Sequence, residues 1–220
     1  MDRHDLPAPG SSERTRVRRI PEKAVEDRAA LEAVLDAGLV AHVGIVDDEG
    51  QPYVVPVAYA RDGDRLLFHG STGSRLLRRL AEGARTCVTV TLLDGLVLAR
   101  SAFESSMNYR GVMALGTCTV LDGAERDDAL RRISDHLLPG RWDDIRPPSR
   151  KELAATLVLA LRLDEVSVKV GAGGPDDDPQ DVDRPVWAGR VPIREVFGDP
   201  QPDEAGAAHP VPTYLEQWTR

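Results

Sequence analysis

A mainly β fold, an antiparallel barrel or sandwich with a few peripheral helices, is predicted by three observations. Short β-branched runs recur with turn signals between them, three stretches switch to helical spacing, and Asp94-Gly95 lies between two apolar runs as the strongest short hairpin signal in the chain. At 220 residues the first expectation is one domain with a real core and room for a peripheral arm.

The elements follow in order. Met1 to about Ser12 is rich in Pro, Gly and Ser, and the expected organisation is a disordered segment over 1–15, a domain over 16–199 and a tail over 200–220. Pro21 to Gly38 reads as the first helix, with Ala24, Leu31, Val34 and Leu35 as core candidates, Pro21 near its first turn and Gly38 as C-cap. LVAHVGIV, PYVVPVAYA and RLLFH are strands separated by the turn signals DDEGQ and RDGD, which makes a meander. Leu76, Leu77 and Leu80 mark a short helix, and Asp94-Gly95 then splits TCVTVTLLDGLVLARS into a hairpin. Tyr109 to Leu121 is a long strand, broken or bulged at Gly116. Helix returns over about 124–138 with Leu130, Ile133 and Leu137 on one face, and SRKE at Ser149 to Glu152 is a capping-box start. Two more strands, LVLALRL and VSVKV, precede the Asp-rich stretch 171–184, whose composition suits a solvated loop and whose aspartates lack calcium-loop spacing.

Charge and composition exclude several classes. The formal net charge of −8 disfavours a nucleic-acid partner, because a phosphate backbone would be repelled. No apolar stretch approaches the ~20 residues of a membrane span, and the first residues lack the apolar core of a signal peptide, so a cytoplasmic protein is expected. Cys87 and Cys118 sit in apolar strand-like runs as small hydrophobes, without metal spacing. There is no GxSxG elbow, no Walker loop, no GxGxxG opening a βαβ unit and no histidine pair at metal spacing; a self-sufficient hydrolase is disfavoured and the catalytic residues stay unassigned.

The segment His69 to Leu80, HGSTGSRLLRRL, carries the most chemistry. A strand ends, small hydroxyl and glycine residues follow, and a helix begins with Arg75. Free N–H groups, the Ser71, Thr72 and Ser74 hydroxyls and the Arg75 guanidinium could converge there on one phosphate. An ordinary capped helix with a solvated arginine face fits the same residues.

Four blocks in order settle more than any one of them: VVPVAYARDGDRLLFHGSTGSR, TLLDGLVLARSAFESSMNYRGVMALG, VKVGAGGPDDD and PVWAGRVP. Together, from about Arg16 to about Pro192, they resemble the flavin-nucleotide-binding branch of the pyridoxamine 5′-phosphate oxidase-like proteins, which have the FMN-binding split β-barrel fold. The resemblance implies FMN, or alternatively FAD, bound across the interface of a homodimer, with redox chemistry on a small molecule supplied by the flavin. Val57, Ala58 and Tyr59 would then lie along the isoalloxazine edge, with Phe68 and His69 continuing that wall. Ser71, Thr72, Ser74 and Arg75 would hold the phosphate. Asn108, Tyr109 and Arg110 match the family's block beside the ring, where Gly111 replaces a serine common among relatives. Trp187 and Arg190 resemble the C-terminal contacts that reach a flavin from the second subunit, with a core position as the alternative for Trp187. A non-catalytic flavin carrier and a haem-binding relative stay open, and His69 would be the haem ligand.

Overall fold

The computed structural model describes residues 6–216. Nine antiparallel strands form one sheet: β1 (Ala24–Val25), β2 (Val40–Val46), β3 (Pro52–Asp62), β4 (Arg65–Ser71), β5 (Arg85–Leu98), β6 (Ser106–Val120), β7 (Thr156–Arg162), β8 (Glu165–Gly171) and β9 (Gly189–Pro192). The helices are α1 (Arg28–Ala37), α2 (Arg75–Ala81), α3 (Gly123–Leu137), α4 (Arg141–Asp144), α5 (Arg150–Ala154) and α6 (Thr213–Glu216).

Strands β2 to β7 close into a barrel because β6 is long enough to change partners. One edge of β6 stays with β5 from Thr117 back to Ser106. The other pairs with β8 from Tyr109 to Leu115 and then with β7 from Cys118 to Val120. Gly116 therefore breaks nothing on the β5 side; it marks the point where β8 leaves and β7 takes over, and the barrel splits there. Apolar residues from the inner faces of the strands, together with Leu31, Val34 and Leu35 of α1 and Leu76, Leu77 and Leu80 of α2, form the main core. A second cluster lies outside the barrel, where Ala129 and Ile133 of α3 cover Ala60, Leu67 and Val158.

Three expectations are corrected. The first helix does not run from Pro21: residues 21–23 make one 3-10 turn, Ala24 and Val25 pair with Lys169 and Val168, and Asp27 caps α1 by accepting from the Ala29 amide. Ala24 is accordingly half-buried on a strand. At the other end Gly38 is the C-cap as expected, its amide donating to the Val34 carbonyl, with an ordinary φ of −78° rather than a left-handed one. Its small size matters instead, since a Cβ there would stand 2.6 Å from Val90 Cγ1 and 2.8 Å from the Tyr59 hydroxyl.

Asp94-Gly95 is not a hairpin. Strand β5 runs straight through it, with a register shift between Leu93 and Gly95, and the chain reverses at residues 99–105. Gly95 lacks the positive φ a type I′ turn demands. It admits β9 instead, because a Cβ would lie 2.8 Å from the Val191 carbonyl oxygen. The expected disordered segment also docks from Leu6 onward: the Gly10 amide donates to the Val166 carbonyl at 2.7 Å and Thr15 is buried. Residues 1–5 lie outside the described residues.

Candidate functional site

The turn from β4 into α2 gathers the phosphate candidates. Ser74 caps α2, accepting from the Leu77 amide, and Ser71 Oγ accepts from the Gly73 amide. The Thr72 amide donates to Ala155 and the Ser74 amide to Ser71, which leaves the Arg75 and Leu76 amides as open donors at the helix start among the described residues. Ser71, Thr72 and Arg75 are exposed. Arg75 forms no ion pair among the described residues; its guanidinium carbon rests 4.0 Å from the centroid of the Tyr53 ring. Tyr53 in turn donates to Asp47 at 2.7 Å, and Asp47 also accepts from the Glu49 and Gln51 amides. The Tyr53 bond, then the Gln51 amide, hold the Asp47 carboxyl below the usual carboxylate range. Sequence reading missed Tyr53 and Asp47; the signal was the aromatic at the start of β3, a strand that passes beside the helix start. A groove of about 490 Å³ continues from Tyr53, lined also by Arg14, Gly44, Arg85, Cys87 and Gly116.

The proposed wall divides by strand alternation. Tyr59 and Phe68 are paired neighbours that point into the barrel, both fully buried. Tyr59 donates to the Leu35 carbonyl at 2.6 Å and its ring lies 5.3 Å from that of His136, which donates to the Gly38 carbonyl. These side chains therefore stiffen the end of α1 and cannot face a ligand outside the barrel. Val57 also packs against the core, whereas Ala58 is half-buried. Because β3 pairs with β4 only from Tyr59 onward, the stretch Pro52 to Ala58 keeps open backbone groups on that edge.

Asn108, Arg110 and Arg190 come together in a cleft of about 490 Å³ with Asp94, Gly171 and Gly173. Arg110 is not free there: it holds Asp94 with both arms of its fork at 2.9 and 2.7 Å, and that carboxylate raises its pKa further. Asn108 donates to the Gly173 carbonyl. Tyr109 lies against Gly171 and Gly111, and a Cβ at Gly111 would meet its ring at 3.6 Å, an ordinary contact that leaves room for a small side chain. Trp187 is 66% exposed, which removes it from the core. The Asp-rich loop is anchored at Asp177, whose carboxylate accepts from the Arg100 amide and guanidinium at 2.6 and 2.7 Å.

His69 stands apart from this group. Strand alternation turns it away from Phe68 into a cavity of about 550 Å³ between the barrel and α3, α4 and α5. Leu130, Ile133, Leu137, Trp142, Ile145 and Leu153 make its walls apolar, and no other candidate residue lines it. The imidazole makes no hydrogen bond among the described residues. Although His69 is open to solvent through the cavity mouth, the walls desolvate the ring and hold its pKa below the ordinary imidazole value.

A split antiparallel barrel with an anion-ready strand-to-helix turn defines the flavoprotein-type fold class. The chain belongs to the pyridoxamine 5′-phosphate oxidase family, which it matches over residues 27–170. It is 42% identical to the FAD and haem binding protein of Mycobacterium smegmatis, with 89% of this chain and 96% of that one covered and a TM-score of 0.85. It is 40% identical to the flavocytochrome Anf3 of Azotobacter vinelandii, covering 97% and 99%, with a TM-score of 0.89. No curated protein sequence matches. Among the described residues no helix is long and apolar enough to cross a membrane.

Proposed function

We propose that this chain binds a flavin nucleotide and works as a cytoplasmic flavin-dependent oxidoreductase. The observation that carries the reading is the β4–α2 turn: an arginine braced on an aromatic face, beside two amides and two exposed hydroxyls, with neither an ion pair at the arginine nor a partner for the amides among the described residues. A dianionic phosphate satisfies all of these donors at once. The open edge of β3 offers backbone groups to the ring, and Ala58 leaves it room. Bound flavin supplies the redox chemistry; the protein holds, orients and polarises it. Sequence reading favours FMN. The groove running on from Tyr53 past the cations Arg14 and Arg85, and the FAD-binding relative, favour FAD.

The site belongs to a homodimer in this reading. The phosphate turn and the Asn108, Arg110 and Arg190 cleft share no lining residue in one chain, and an apolar face including Val40, Val54, Leu93, Leu96 and Val191 is exposed on β2, β3, β5 and β9. Such a face suits a second copy. Arg75→Ala tests the flavin assignment: unchanged flavin affinity would remove the phosphate from this turn.

A second ligand is favoured by one specific observation, a His69 imidazole in an apolar cavity with no hydrogen bond among the described residues. Neutral imidazole on an apolar wall suits a haem iron, and two relatives described as haem binding and as a flavocytochrome support it. In this reading the chain carries both groups: His69 ligates the iron, and the leucines, Ile133 and Trp142 exclude water. An apoprotein that yields no Soret band with added hemin sinks this reading and leaves the flavin site untouched.

A further inference from the structure

The His69 cavity carries an ion pair among its lining residues, Arg146 with Glu152. Arg146 is the only Lys or Arg that lines the cavity among the described residues. It holds Glu152, another lining residue, with both arms of its fork at 2.8 and 2.6 Å, and it also donates to the Pro147 carbonyl. Glu152 has a second role. As the third residue of α5 it accepts from the Ser149 amide at 2.7 Å while its own amide donates to Ser149 Oγ, closing a capping box. The two bonds from Arg146, followed by those from Ser149, lower the Glu152 pKa, so the carboxylate is charged across the working pH range.

The ion pair is weakly held in energetic terms. Arg146 is 69% and Glu152 49% exposed, and a pair so open to water contributes little. A guanidinium at the rim of an apolar cavity can therefore trade one carboxylate for another at small cost. Glu152 loses little in the exchange, because Ser149 and water still satisfy it. We propose that Arg146 is the anchor for a carboxylate on the cavity's ligand, so that the cavity selects a flat apolar molecule bearing an acidic side arm, and that Glu152 competes for the same guanidinium and holds affinity down. The inference rests on the haem reading of His69, since a haem carries such carboxylates at its edge.

The test uses the full chain freed of any bound haem, titrated with hemin and with hemin dimethyl ester while the Soret band is followed. Wild type should prefer the acid. Arg146→Gln should weaken hemin roughly two- to fivefold and leave the ester unchanged, the scale of an ion pair this open to water. Glu152→Gln keeps a residue type that serves the capping box and frees Arg146, so hemin should bind several-fold tighter with no change for the ester. Equal losses for acid and ester in Arg146→Gln, or weaker hemin binding by Glu152→Gln, would overturn the proposal while leaving His69 as ligand. A wild type that takes up neither hemin nor its ester would overturn the haem reading and this inference together.

Discussion

The C-terminal end of strand β4 serves two different kinds of site. At its C-terminal end, residues 71–75 bring the hydroxyls and Arg75 together within five consecutive positions, and only Tyr53 and Asp47 arrive from elsewhere. Two residues earlier, His69 faces a cavity whose walls come from α3, the α4–α5 segment and β7, more distant in sequence. The first site is polar, exposed and built to grip a charge. The second is apolar and built to exclude water. His69 and Ser71 lie on the same face of the strand, and the two sites part because the chain turns into α2 just beyond Ser71.

That contrast predicts separable losses. His69→Ala should abolish the Soret band entirely while flavin content is kept; loss of both ligands together would show one shared site. Next in size, Arg75→Ala should weaken flavin binding by about 1.5–3 kcal/mol, roughly 10- to 150-fold, with hemin affinity unchanged by equilibrium titration. A pH series sharpens the difference further. Burial lowers the His69 pKa, so the free cavity holds a neutral imidazole at pH 7 and hemin affinity should be flat above that. Protonation competes only below the ordinary imidazole value of ~6.5, and affinity should then fall towards about tenfold per pH unit. Affinity that declines already between pH 8 and pH 7 contradicts this. The smallest effect is expected for Tyr53→Leu, which removes the aromatic brace and should cost about 0.5–1 kcal/mol of flavin affinity, readable by fluorescence titration.

Legibility in the sequence follows the same division. The strands β2, β3, β4, β7 and β8, the α3 face and the Ser149–Glu152 capping box were readable because alternation, helical spacing and caps are local. Asp94-Gly95 misled because the same dipeptide serves a bulge: β9, arriving almost a hundred residues later, needs the space that Gly95 leaves, and Arg110 needs Asp94. The first helix was read too long because two of its residues were taken by β8, a pairing invisible locally. For the site, the hydroxyl and arginine turn stood out as a contiguous motif. Tyr59 and Phe68 were read as a ligand wall, and their inward direction depends on barrel closure. The walls around His69 had no signature at all, since Leu130, Trp142, Ile145 and Leu153 are ordinary apolar residues until three helices converge on one strand.

The most direct test of the central claim, that a flavin phosphate sits on the Ser71–Arg75 turn, is an absorbance spectrum of the purified chain followed by heat release and chromatography, for wild type beside Arg75→Ala. The account predicts flavin bands and a released flavin nucleotide from wild type, with most of the flavin lost from the variant. A wild-type chain that neither carries flavin nor takes up added FMN or FAD, or a variant that keeps its full flavin content and affinity, would contradict it.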